Sequence, residues 1–349
     1  MTQNEILEFL KSGALIRLPS GKLRLWKGPF RPVTIIKEPV FSVAYMDYDA
    51  SQPQFLQSST AVVETEVSTF RGLLQPHLSQ VSFSGHSFFQ PSFEKFQDSY
   101  QIIQGKIHRG ELEKAVPVVF AESPLVPSLA EKARMLWHAL ESHPELYVYG
   151  FWNESTGVIG ASPEILFHVK ENHLRTMALA GTRPQHLESE LLKDPKELKE
   201  HQFVIDDLKQ KLEKYGWPKV GSTKTASFGP IAHLKTEIEI ELSHVEIEDL
   251  LKQLHPTAAL GVFPRNYGIH WMKELAYQAQ RGVFGAPLTF SISHTEVISI
   301  VAIRCLQWSE NGSQIGTGCG IIASSDLQKE WRELALKRQS VMKILGLDL

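Results

Sequence analysis

The chain has 349 residues, of which 42% are hydrophobic and 21% are charged, and these values are ordinary for a soluble globular protein. Its 36 lysine and arginine residues against 39 aspartate and glutamate residues give a formal net charge of −3, which argues against a dedicated nucleic-acid-binding protein. The two cysteines, Cys305 and Cys319, are too few for a disulfide framework or a cysteine-rich zinc site.

The N-terminus and the apolar stretches predict where the protein resides. Acidic and basic residues occur too early near the N-terminus for the core of a signal peptide. The most apolar late stretch, Val297 to Leu306, has the length of one strand and contains Arg304, whereas a membrane-spanning helix needs about 20 apolar residues. We therefore expect a cytoplasmic protein without a membrane segment, and the low cysteine content fits a reducing compartment.

The first part of the chain predicts short strands and loops. Proline and glycine separate four apolar runs, which predict strands at Leu15 to Arg17, Leu23 to Trp26, Val33 to Ile36 and Phe41 to Met46. The glutamine- and serine-rich segment Gln52 to Thr60 is predicted to be a loop.

The middle of the chain mixes helices with strands, and apolar residues three and four positions apart predict the helices. In chain order, the predicted elements are a helix at Ser92 to Gly110, a strand at Ala115 to Ala121, a helix at about Ser128 to Ser142, a hairpin of Leu146 to Trp152 and Val158 to Ala161, a strand at Leu174 to Ala180 and a long charged helix at Leu187 to Tyr215.

The last third predicts further strands and three helices. In chain order, these are a strand-rich segment from Gly221 to Leu242, helices at about Val245 to Leu254 and Asn266 to Gln280, strands at Phe284 to Ser291 and Val297 to Trp308, a strand ending near Gly318, and a helix capped by Ser325 or Asp326 that runs to about Ile344. Runs of strands with long interleaved helices predict a mixed α+β fold, and no linker divides it.

Acidic residues on two helices have two interpretations. Glu330, Glu333 and Lys337 share one face of the final helix, where they form either a solvated ion pair or two carboxylates for a hard cation such as Mg²⁺ beside a lysine for an anion. Glu200 lies at the edge of an apolar stripe, one turn before Val204, and alone it is typical of solvated helix surface.

Two residues at strand ends also have two interpretations. Glu164 follows a predicted hairpin strand, where it is either a turn residue or a partly desolvated proton donor beside Ile165 and Leu166. Lys114 stands at the mouth of an apolar strand, where it is a surface residue or, if buried, a base with a lowered pKa.

Eight short segments occur in a fixed order and together are more informative than any one of them. They are Gly110-Glu-Leu-Glu-Lys114, Gly160-Ala-Ser-Pro-Glu164, Leu179-Ala-Gly-Thr-Arg-Pro184, Lys199-Glu-His201, Leu254-His-Pro-Thr-Ala-Ala-Leu260, Val301-Ala-Ile-Arg-Cys305, Thr317-Gly-Cys-Gly-Ile321 and Glu330-Trp-Arg-Glu-Leu-Ala-Leu-Lys337. In order and spacing they resemble the chorismate-utilising enzyme family, and within it the isochorismate synthases, from about Phe89 to Gly346.

The resemblance implies a fold and a substrate. The fold would be of the anthranilate and aminodeoxychorismate synthase type, with antiparallel sheets packed in layers and helices outside. Residues 1–349 would form a single catalytic domain, in which 1–90 are a divergent, shortened part and 90–346 the family-like core. The substrate would be chorismate, bound with one Mg²⁺.

The resemblance also implies roles for individual residues. Lys114 would be the general base for the water that adds at C2, and Glu164 would protonate the departing C4 hydroxyl. Glu200 and Glu333 would hold Mg²⁺, with Glu330 assisting through a water. The remaining positions would contact the substrate: Arg304, Lys337 and Gly318 at the enolpyruvyl carboxylate, Gly181 and Thr182 beneath the ring, and His233, Ala259 and Leu260 beside it.

Three positions distinguish the subfamilies. Ala180 stands where aminodeoxychorismate synthases typically carry a nucleophilic lysine, and Lys114 stands where anthranilate synthases usually have glutamine. The segment Leu260 to Arg265 lacks the Gly-x-Pro-Lys of the anthranilate synthases. All three favour water over ammonia as the nucleophile. We therefore expect no amidotransferase subunit, and a monomer or homodimer.

The chain departs from the family pattern in three places. The strand after Lys114 lacks the usual arginine near its end, and the first 90 residues match poorly. The segment His294-Thr-Glu296, followed by a run of apolar residues, stands where the family often has Gly-Glu. No proposed metal ligand and neither member of the acid–base pair is missing.

Two other functions stay open at this point. A salicylate synthase would form isochorismate and then eliminate pyruvate at the same site, although Ala259 and Leu260 resemble the isochorismate-only enzymes. A non-catalytic member would bind an anionic metabolite or a partner protein, although the retained Lys114 and Glu164 argue against it. Isochorismate feeds both menaquinone and siderophore or salicylate biosynthesis, and the sequence fits either.

Overall fold

Helices flank the fold on both sides. The structure is a computed structural model that describes residues 1–34, 41–78, 87–243 and 246–347. Within these ranges the helices are α1 (Gln3–Lys11), α2 (Val67–Leu74), α3 (Phe93–His108), α4 (Leu129–Ala139), α5 (Glu188–Leu191), α6 (Pro195–Leu212), α7 (Ile247–Leu254) and α8 (Leu327–Leu345).

The strands between the helices pair antiparallel. In chain order they are β1 (Gly13–Arg17), β2 (Leu23–Lys27), β3 (Phe30–Pro32), β4 (Val43–Tyr45), β5 (Gln54–Ser58), β6 (Val63–Thr65), β7 (Lys114–Ala115), β8 (Val118–Ser123), β9 (Tyr147–Trp152), β10 (Gly157–Ser162), β11 (Ile165–Lys170), β12 (His173–Pro184), β13 (Lys219–Val220), β14 (Lys224–Phe228), β15 (Ile231–Glu241), β16 (Val262–Phe263), β17 (Pro287–Ser293), β18 (Glu296–Val301), β19 (Cys305–Ser309), β20 (Gly312–Gly318) and β21 (Ile321–Ile322).

Two large sheets face each other at the centre of the molecule. One has the strand order β6-β2-β1-β9-β10-β19-β20-β8, and the other has the order β13-β15-β12-β11-β18-β17-β4-β5-β3, with β14 also paired to β15. Their facing sides share a core that includes Ile16, Tyr149, Phe290 and Ile298. A small third sheet, β16-β7-β21, lies beside them and carries Lys114.

Helices cover the outer side of each large sheet. Helices α1, α2, α4 and α8 pack on the first sheet, and α6 and α7 pack on the second. In β1, Leu15 contacts the helices while Ala14 and Ile16 face the other sheet, because successive side chains of a strand point to opposite faces. Antiparallel sheets in layers with outer helices confirm the predicted α+β class. The single domain and its division near residue 90 stay a prediction.

Several predicted elements are confirmed. The helix predicted at Ser92 to Gly110 is α3, with Ser92 as its N-cap, and the helix predicted at Ser128 to Ser142 is α4, capped by Ser128. The hairpin predicted around Asn153 is β9 and β10. Asp326 caps the final helix by accepting from the backbone N–H of Lys329. No described helix is long and apolar enough to cross a bilayer.

The prediction of a loop at Gln52 to Thr60 is wrong. Residues Gln54–Ser58 form β5, which pairs with β3 and β4. Phe55 and Leu56 are buried there, so packing overrides the polar composition of the segment. Of the strand predicted at Val33 to Ile36, the first two residues lie outside any strand, and Ile35 and Ile36 lie outside the described residues. Val245, the predicted start of a helix, also lies outside them, and that helix begins at Ile247.

Two predicted helices differ in the structure. The long helix predicted at Leu187 to Tyr215 is interrupted, because Asp194 caps a new helix, α6, whose first residue is Pro195. The helix predicted at Asn266 to Gln280 is instead three short 3-10 segments. Gly268 and Tyr277 adopt φ values of 76° and 65°, which an α-helix does not contain.

Two predicted strands are each divided into two. The strand at Ala115 to Ala121 breaks at Val116 and Pro117, which separate β7 from β8, because proline lacks the N–H that a ladder requires. The strand at Val297 to Trp308 breaks between β18 and β19, where Arg304 has a φ of 55°. The second break matters for the site, because it turns a predicted strand residue into one at a sharp corner.

Candidate active site

The predicted site residues come together in one narrow cleft where α6, α8 and the loop after α7 meet the ends of β12 and β20. Its volume is about 70 Å³. That is well below the roughly 300–1,000 Å³ of typical ligand pockets, so the cleft is narrow. Most predicted positions line it: Glu164, Gly181, Thr182, Glu200, His233, Ala259, Leu260, Arg304, Gly318 and Lys337.

The other predicted residues lie behind the wall of the cleft. Lys114 pairs with Glu200, and Glu333 pairs with Lys337. Glu330 does not pair with a predicted residue but with Lys196, which the sequence analysis did not single out. The structure therefore brings all the predicted residues to one place, with two of the three predicted metal ligands, Glu330 and Glu333, behind the surface of the cleft.

A larger open cleft of about 920 Å³ lies elsewhere, between the β4–β5 segment and the ends of β19 and β20. Its walls are mainly glutamine, glycine and apolar side chains, among them Gln280, Trp308 and Gln314. The smaller cleft is the better candidate for chemistry, because carboxylates, lysines and an arginine converge on it.

Two backbone positions with positive φ shape the cleft. Gly181 has a φ of 73° at a bulge where the register of β12 against β15 shifts between Ala180 and Thr182. Arg304 has a φ of 55°, which is uncommon for a residue with a side chain. The conformation of Arg304 persists only where the surrounding structure enforces it, and such residues cluster at functional sites, whereas Gly181 adopts its φ without strain.

Arg304, His233 and Thr182 form a buried hydrogen-bond chain. His233 Nδ1 lies 3.2 Å from both the Gly181 carbonyl oxygen and Thr182 Oγ1. Because a carbonyl oxygen only accepts, Nδ1 carries the proton and Nε2 accepts from Arg304 Nη2 at 3.1 Å. Burial and the nearby guanidinium hold the pKa of His233 well below its usual range, so this ring is neutral and orients the cation.

Lys337 is held beside Arg304 by the end of a strand. Its Nζ donates to the Gly318 carbonyl oxygen at 2.8 Å and pairs with Glu333 at 2.7 Å. Burial lowers the pKa of Arg304 to about 10, which leaves the guanidinium charged at neutral pH. Two cations on one side of the cleft suit a carboxylate of a small anionic ligand.

Glu164 is placed and desolvated by the turn between β10 and β11. Its backbone N–H donates to Ser162 Oγ at 3.2 Å, and its carbonyl oxygen accepts from the Val301 backbone N–H at 3.1 Å. The residue is only 3% exposed. Burial raises the pKa of its carboxyl group to about 8, against the opposing effect of Lys114 and Lys337. Glu164 is therefore mainly protonated at neutral pH and has a proton to donate.

Lys114 is fully buried behind Glu200. Its Nζ lies 3.2 Å from Glu200 Oε1, without hydrogen-bond geometry, and it has no hydrogen-bond partner among the described residues. A Cβ on Gly320 would overlap Glu200 Oε1 and approach Lys114 Cε to 2.8 Å. Glycine at position 320 is therefore what allows the lysine and the glutamate to meet here.

The first turns of α6 build a cluster of acidic residues around one lysine. The N-cap Asp194 accepts from the backbone N–H groups of Lys196 and Glu197, which fixes the helix start. Lys196 Nζ then lies 3.3 Å from Glu197, 2.9 Å from Glu200 and 3.2 Å from Glu330. Residues three and four apart share a helix face, so the spacing of this segment already indicated that Glu200 lies near Lys196 and Glu197, but it could not indicate Glu330, which belongs to α8.

The three carboxyl groups of this cluster differ in their pKa values and therefore in how readily they ionise. Burial opposes ionisation of Glu200, but Lys196 and Lys114 outweigh it and lower its pKa to about 2. Burial raises the pKa of Glu197 to about 7 and that of Glu330 to about 8. The same carboxylates raise the pKa of Lys196 far above its usual range despite its burial. At neutral pH the lysine and Glu200 are therefore charged.

The donor set fits a hard divalent cation. Glu330 is 2% exposed, and its Oε2 has no hydrogen-bond partner within the described residues. Carboxylate oxygens are the ligands that Mg²⁺ prefers. As they stand, the acidic side chains in the described ranges do not form a ready metal-binding group of three, and the ammonium group of Lys196 lies among them. The three predicted metal ligands stay a prediction.

Two charged side chains of α6 hold the loop that carries Ala259 and Leu260. Asp207 Oδ2 accepts from the Ala258 backbone N–H at 2.9 Å and pairs with Lys211 at 2.6 Å. Lys211 Nζ also donates to the carbonyl oxygens of Leu254 and Pro256. Both charged residues are buried on α6, two and three turns after Glu200. Sequence reasoning missed this pair, although it continues the helix face of Glu200.

The chain is similar in sequence to one enzyme family and to several characterised enzymes. The family model described as "Chorismate binding enzyme" matches residues 48–346. Anthranilate synthase component 1 of Acinetobacter calcoaceticus is 27% identical over 274 residues, which are 73% of this chain and 54% of that protein. The vibriobactin-specific isochorismate synthase of Vibrio cholerae is 26% identical over 281 residues, which are 74% of this chain and 68% of that protein.

The fold is also similar to a solved structure over nearly the whole chain. A Bacillus anthracis protein assigned as a 2,3-dihydroxybenzoate-specific isochorismate synthase superposes with a TM-score of 0.79 at 22% identity. The match covers 99% of this chain and 100% of that one. By contrast, the chain spans about half the length of the anthranilate synthase component 1 sequences that it matches.

Proposed function

The chain belongs to the family of chorismate-binding enzymes, and from this premise we propose that it is an isochorismate synthase. The observation that carries the proposal is the state of Glu164, a buried carboxyl group with a pKa of about 8 at the same cleft as the buried amine of Lys114. Hydroxide is a poor leaving group, so its loss from chorismate needs a proton donor that is still protonated at neutral pH.

The proposed reaction divides its proton transfers between these two residues. A water oxygen bonds to C2 while its proton passes to Lys114, the ring double bonds shift, and the C4–O bond breaks. Glu164 gives its proton to the departing hydroxyl, which leaves as water. The net change is an isomerisation, because one water enters and one leaves.

The other predicted residues bind and orient the substrate. Arg304 and Lys337 would hold the enolpyruvyl carboxylate, with Arg304 oriented by the neutral His233. Glu200 and Glu333, with Glu330, would hold Mg²⁺, which when bound supplies positive charge for the ring carboxylate. Gly181 and Thr182 would form the floor beneath the ring, since both residues line the cleft at the bulge in β12.

Water rather than ammonia is the proposed nucleophile. In the proposed reaction Lys114, which lies beside Glu200, takes the proton of the attacking water. Ala180 lines the cleft where a nucleophilic lysine would stand in an aminodeoxychorismate synthase. With water as the nucleophile the chain needs no amidotransferase subunit. We propose that it acts alone, as a monomer or homodimer.

Chromatographic identification of the product tests the proposal. The purified chain, incubated with chorismate and Mg²⁺, is expected to form isochorismate whether or not ammonium is present, and Glu164→Gln serves as the inactive control. Salicylate and pyruvate as main products would make it a salicylate synthase instead. Anthranilate formed only with ammonium, or binding of chorismate without any product, would overturn the proposal.

A further inference from the structure

The carboxylate cluster beside the cleft already contains a cation. Lys196 Nζ lies 2.9 Å from Glu200 and 3.2 Å from Glu330, on two different helices, and 3.3 Å from Glu197. These distances place one ammonium group at the centre of three acidic side chains, two of which are proposed metal ligands. The ion pairs link α6 to α8 across the site.

The cluster is not fully satisfied by this lysine. Glu330 is 2% exposed, and its Oε2 has no hydrogen-bond partner among the residues that the structure describes. An uncompensated buried carboxylate oxygen is costly unless a donor or a cation reaches it. A single ammonium, with three hydrogens, cannot serve every oxygen of three carboxylates, whereas a divalent cation takes about six oxygen ligands.

We propose that Lys196 is an internal counter-ion that holds the carboxylate cluster together in the metal-free protein and swings out when a divalent cation binds. The inference rests on the proposed function only in its use of Mg²⁺ as the cation. In this account Lys196 is a positioning residue that competes with the metal, and it takes no part in proton transfer.

The position of Lys196 allows the movement without a change of fold. It is the second residue of α6, directly after Pro195, and its side chain is 17% exposed. The N-cap hydrogen bonds from Lys196 and Glu197 to Asp194 involve the backbone, so rotating the lysine side chain leaves the helix start intact. A long flexible side chain at this place reaches either the cluster or solvent.

Removing the lysine charge is expected to affect the metal-free and metal-bound states in opposite ways. Without the ammonium, Glu200 loses a close ion-pair partner and α6 is no longer linked to α8 through the lysine, which lowers the melting temperature in the absence of metal. The variant also has no ammonium for Mg²⁺ to displace, so affinity for the metal rises. Removing a unit positive charge that lies about 4 Å from the proposed position of the metal is expected to tighten Mg²⁺ binding by roughly tenfold or more.

Calorimetric titration of Mg²⁺ without substrate tests the inference. Lys196→Met is compared with the unmodified chain and with Lys199→Met, which removes the same charge from an exposed site on the same helix. The expected result is roughly tenfold tighter binding for Lys196→Met and an unchanged constant for Lys199→Met. The melting temperature of Lys196→Met should be lower than that of the unmodified chain in the presence of a chelator and should recover in saturating Mg²⁺. Lys196→Gln repeats both measurements if the methionine variant does not fold.

Each outcome decides between the inference and the proposed function. Equal or weaker Mg²⁺ binding by the Lys196 variants, while the unmodified chain forms isochorismate, overturns the inference alone. Tightening by Lys196→Met and Lys199→Met to the same extent shows a general charge effect and also overturns it. If the unmodified chain and all variants bind no Mg²⁺, the inference and the metal-dependent part of the proposed function fail together.

Discussion

Single side chains in this cleft have properties that their residue types do not show in solution. Glu164 and Glu200 are both buried glutamates near Lys114, yet burial raises the pKa of the first to about 8, and the neighbouring lysines lower that of the second to about 2 despite its burial. A site that keeps one carboxyl protonated and another ionised can both donate a proton and bind a cation.

Glu164→Gln is expected to lower kcat by about 10²- to 10⁴-fold, because the amide cannot donate a carboxyl proton. It should leave the circular dichroism spectrum and melting temperature close to those of the unmodified chain, since the amide is also uncharged. In the unmodified chain, kcat should fall as pH rises through about 8, where Glu164 loses its proton. Retained turnover in Glu164→Gln, or a rate that rises through pH 8, would refute the assignment.

The raised pKa of Glu164 also has a consequence for stability. Its folded value of about 8 lies above the ordinary 4.5, so the folded state binds the proton more tightly. The contribution is fully present below about pH 4.5 and is lost as pH rises through 8. In Glu164→Gln the free energy of unfolding, measured with urea, should therefore depend less on pH across this interval.

Lys114→Gln is expected to block isochorismate formation, because the amide cannot accept the proton of the attacking water. The expected loss in kcat is about 10²- to 10⁴-fold. Quantifying isochorismate by chromatography measures it, and Lys132→Gln, at another buried lysine outside the cleft, controls for burial of an amide. Unchanged isochorismate formation in Lys114→Gln would show that another group is the base.

At the scale of elements, short connections rather than whole helices bring the predicted site residues together. The break between β18 and β19 places Arg304, the bulge in β12 places Thr182, and the link from β20 to β21 places Gly320 against Lys114 and Glu200. Each connection depends on a local backbone feature that a smooth strand would not provide.

Gly320→Ala tests the connection between β20 and β21. The added methyl group would overlap Glu200 Oε1, so the glutamate and Lys114 must move, and a displacement of about 1 Å is expected to cost roughly 10²-fold in kcat. Because the displaced atoms are ends of side chains, the melting temperature should change little. Gly72→Ala, where a Cβ meets nothing within 4 Å, is the matched control. Full activity in Gly320→Ala would contradict the packing described here.

The link between α6 and the loop after α7 predicts a stability effect. Asp207→Ala leaves the buried Lys211 charge without its partner, so unfolding in urea should show a loss of about 3–5 kcal/mol. The double variant Asp207→Leu, Lys211→Met should lose less than the single variant, because no unpaired charge remains. A single variant as stable as the unmodified chain would show that the pair does not hold the loop.

At the scale of the whole molecule, the layers explain why the site lies where it does. Each sheet is covered by the other on one side and by helices on the outside. The two helices that carry the carboxylates, α6 and α8, belong to opposite outer layers, and Lys196 joins them through Glu200 and Glu330. The cleft is thus placed where both outer layers meet the small sheet that carries Lys114.

The sequence predicted much of this arrangement, and its failures have physical causes. The order and spacing of the eight short segments predicted the site residues, because side chains that perform chemistry must be of a particular type and lie at a particular spacing. Lys196 and Glu197 were missed because a charged helix face looks like solvated surface until its neighbours are known. The corner at Arg304 was missed because a nearly continuous run of apolar residues extends across it. The strand β5 was missed because packing overrode a polar composition.

The central claim is that the chain adds solvent water to chorismate, and turnover in water enriched in oxygen-18 tests it most directly. One new oxygen bonds to C2 while the C4 hydroxyl leaves, so mass spectrometry is expected to show isochorismate heavier by one oxygen-18 atom, with a label in the C2 hydroxyl. Isochorismate without the label, or an aminated product formed in its place when ammonium is present, would contradict the account.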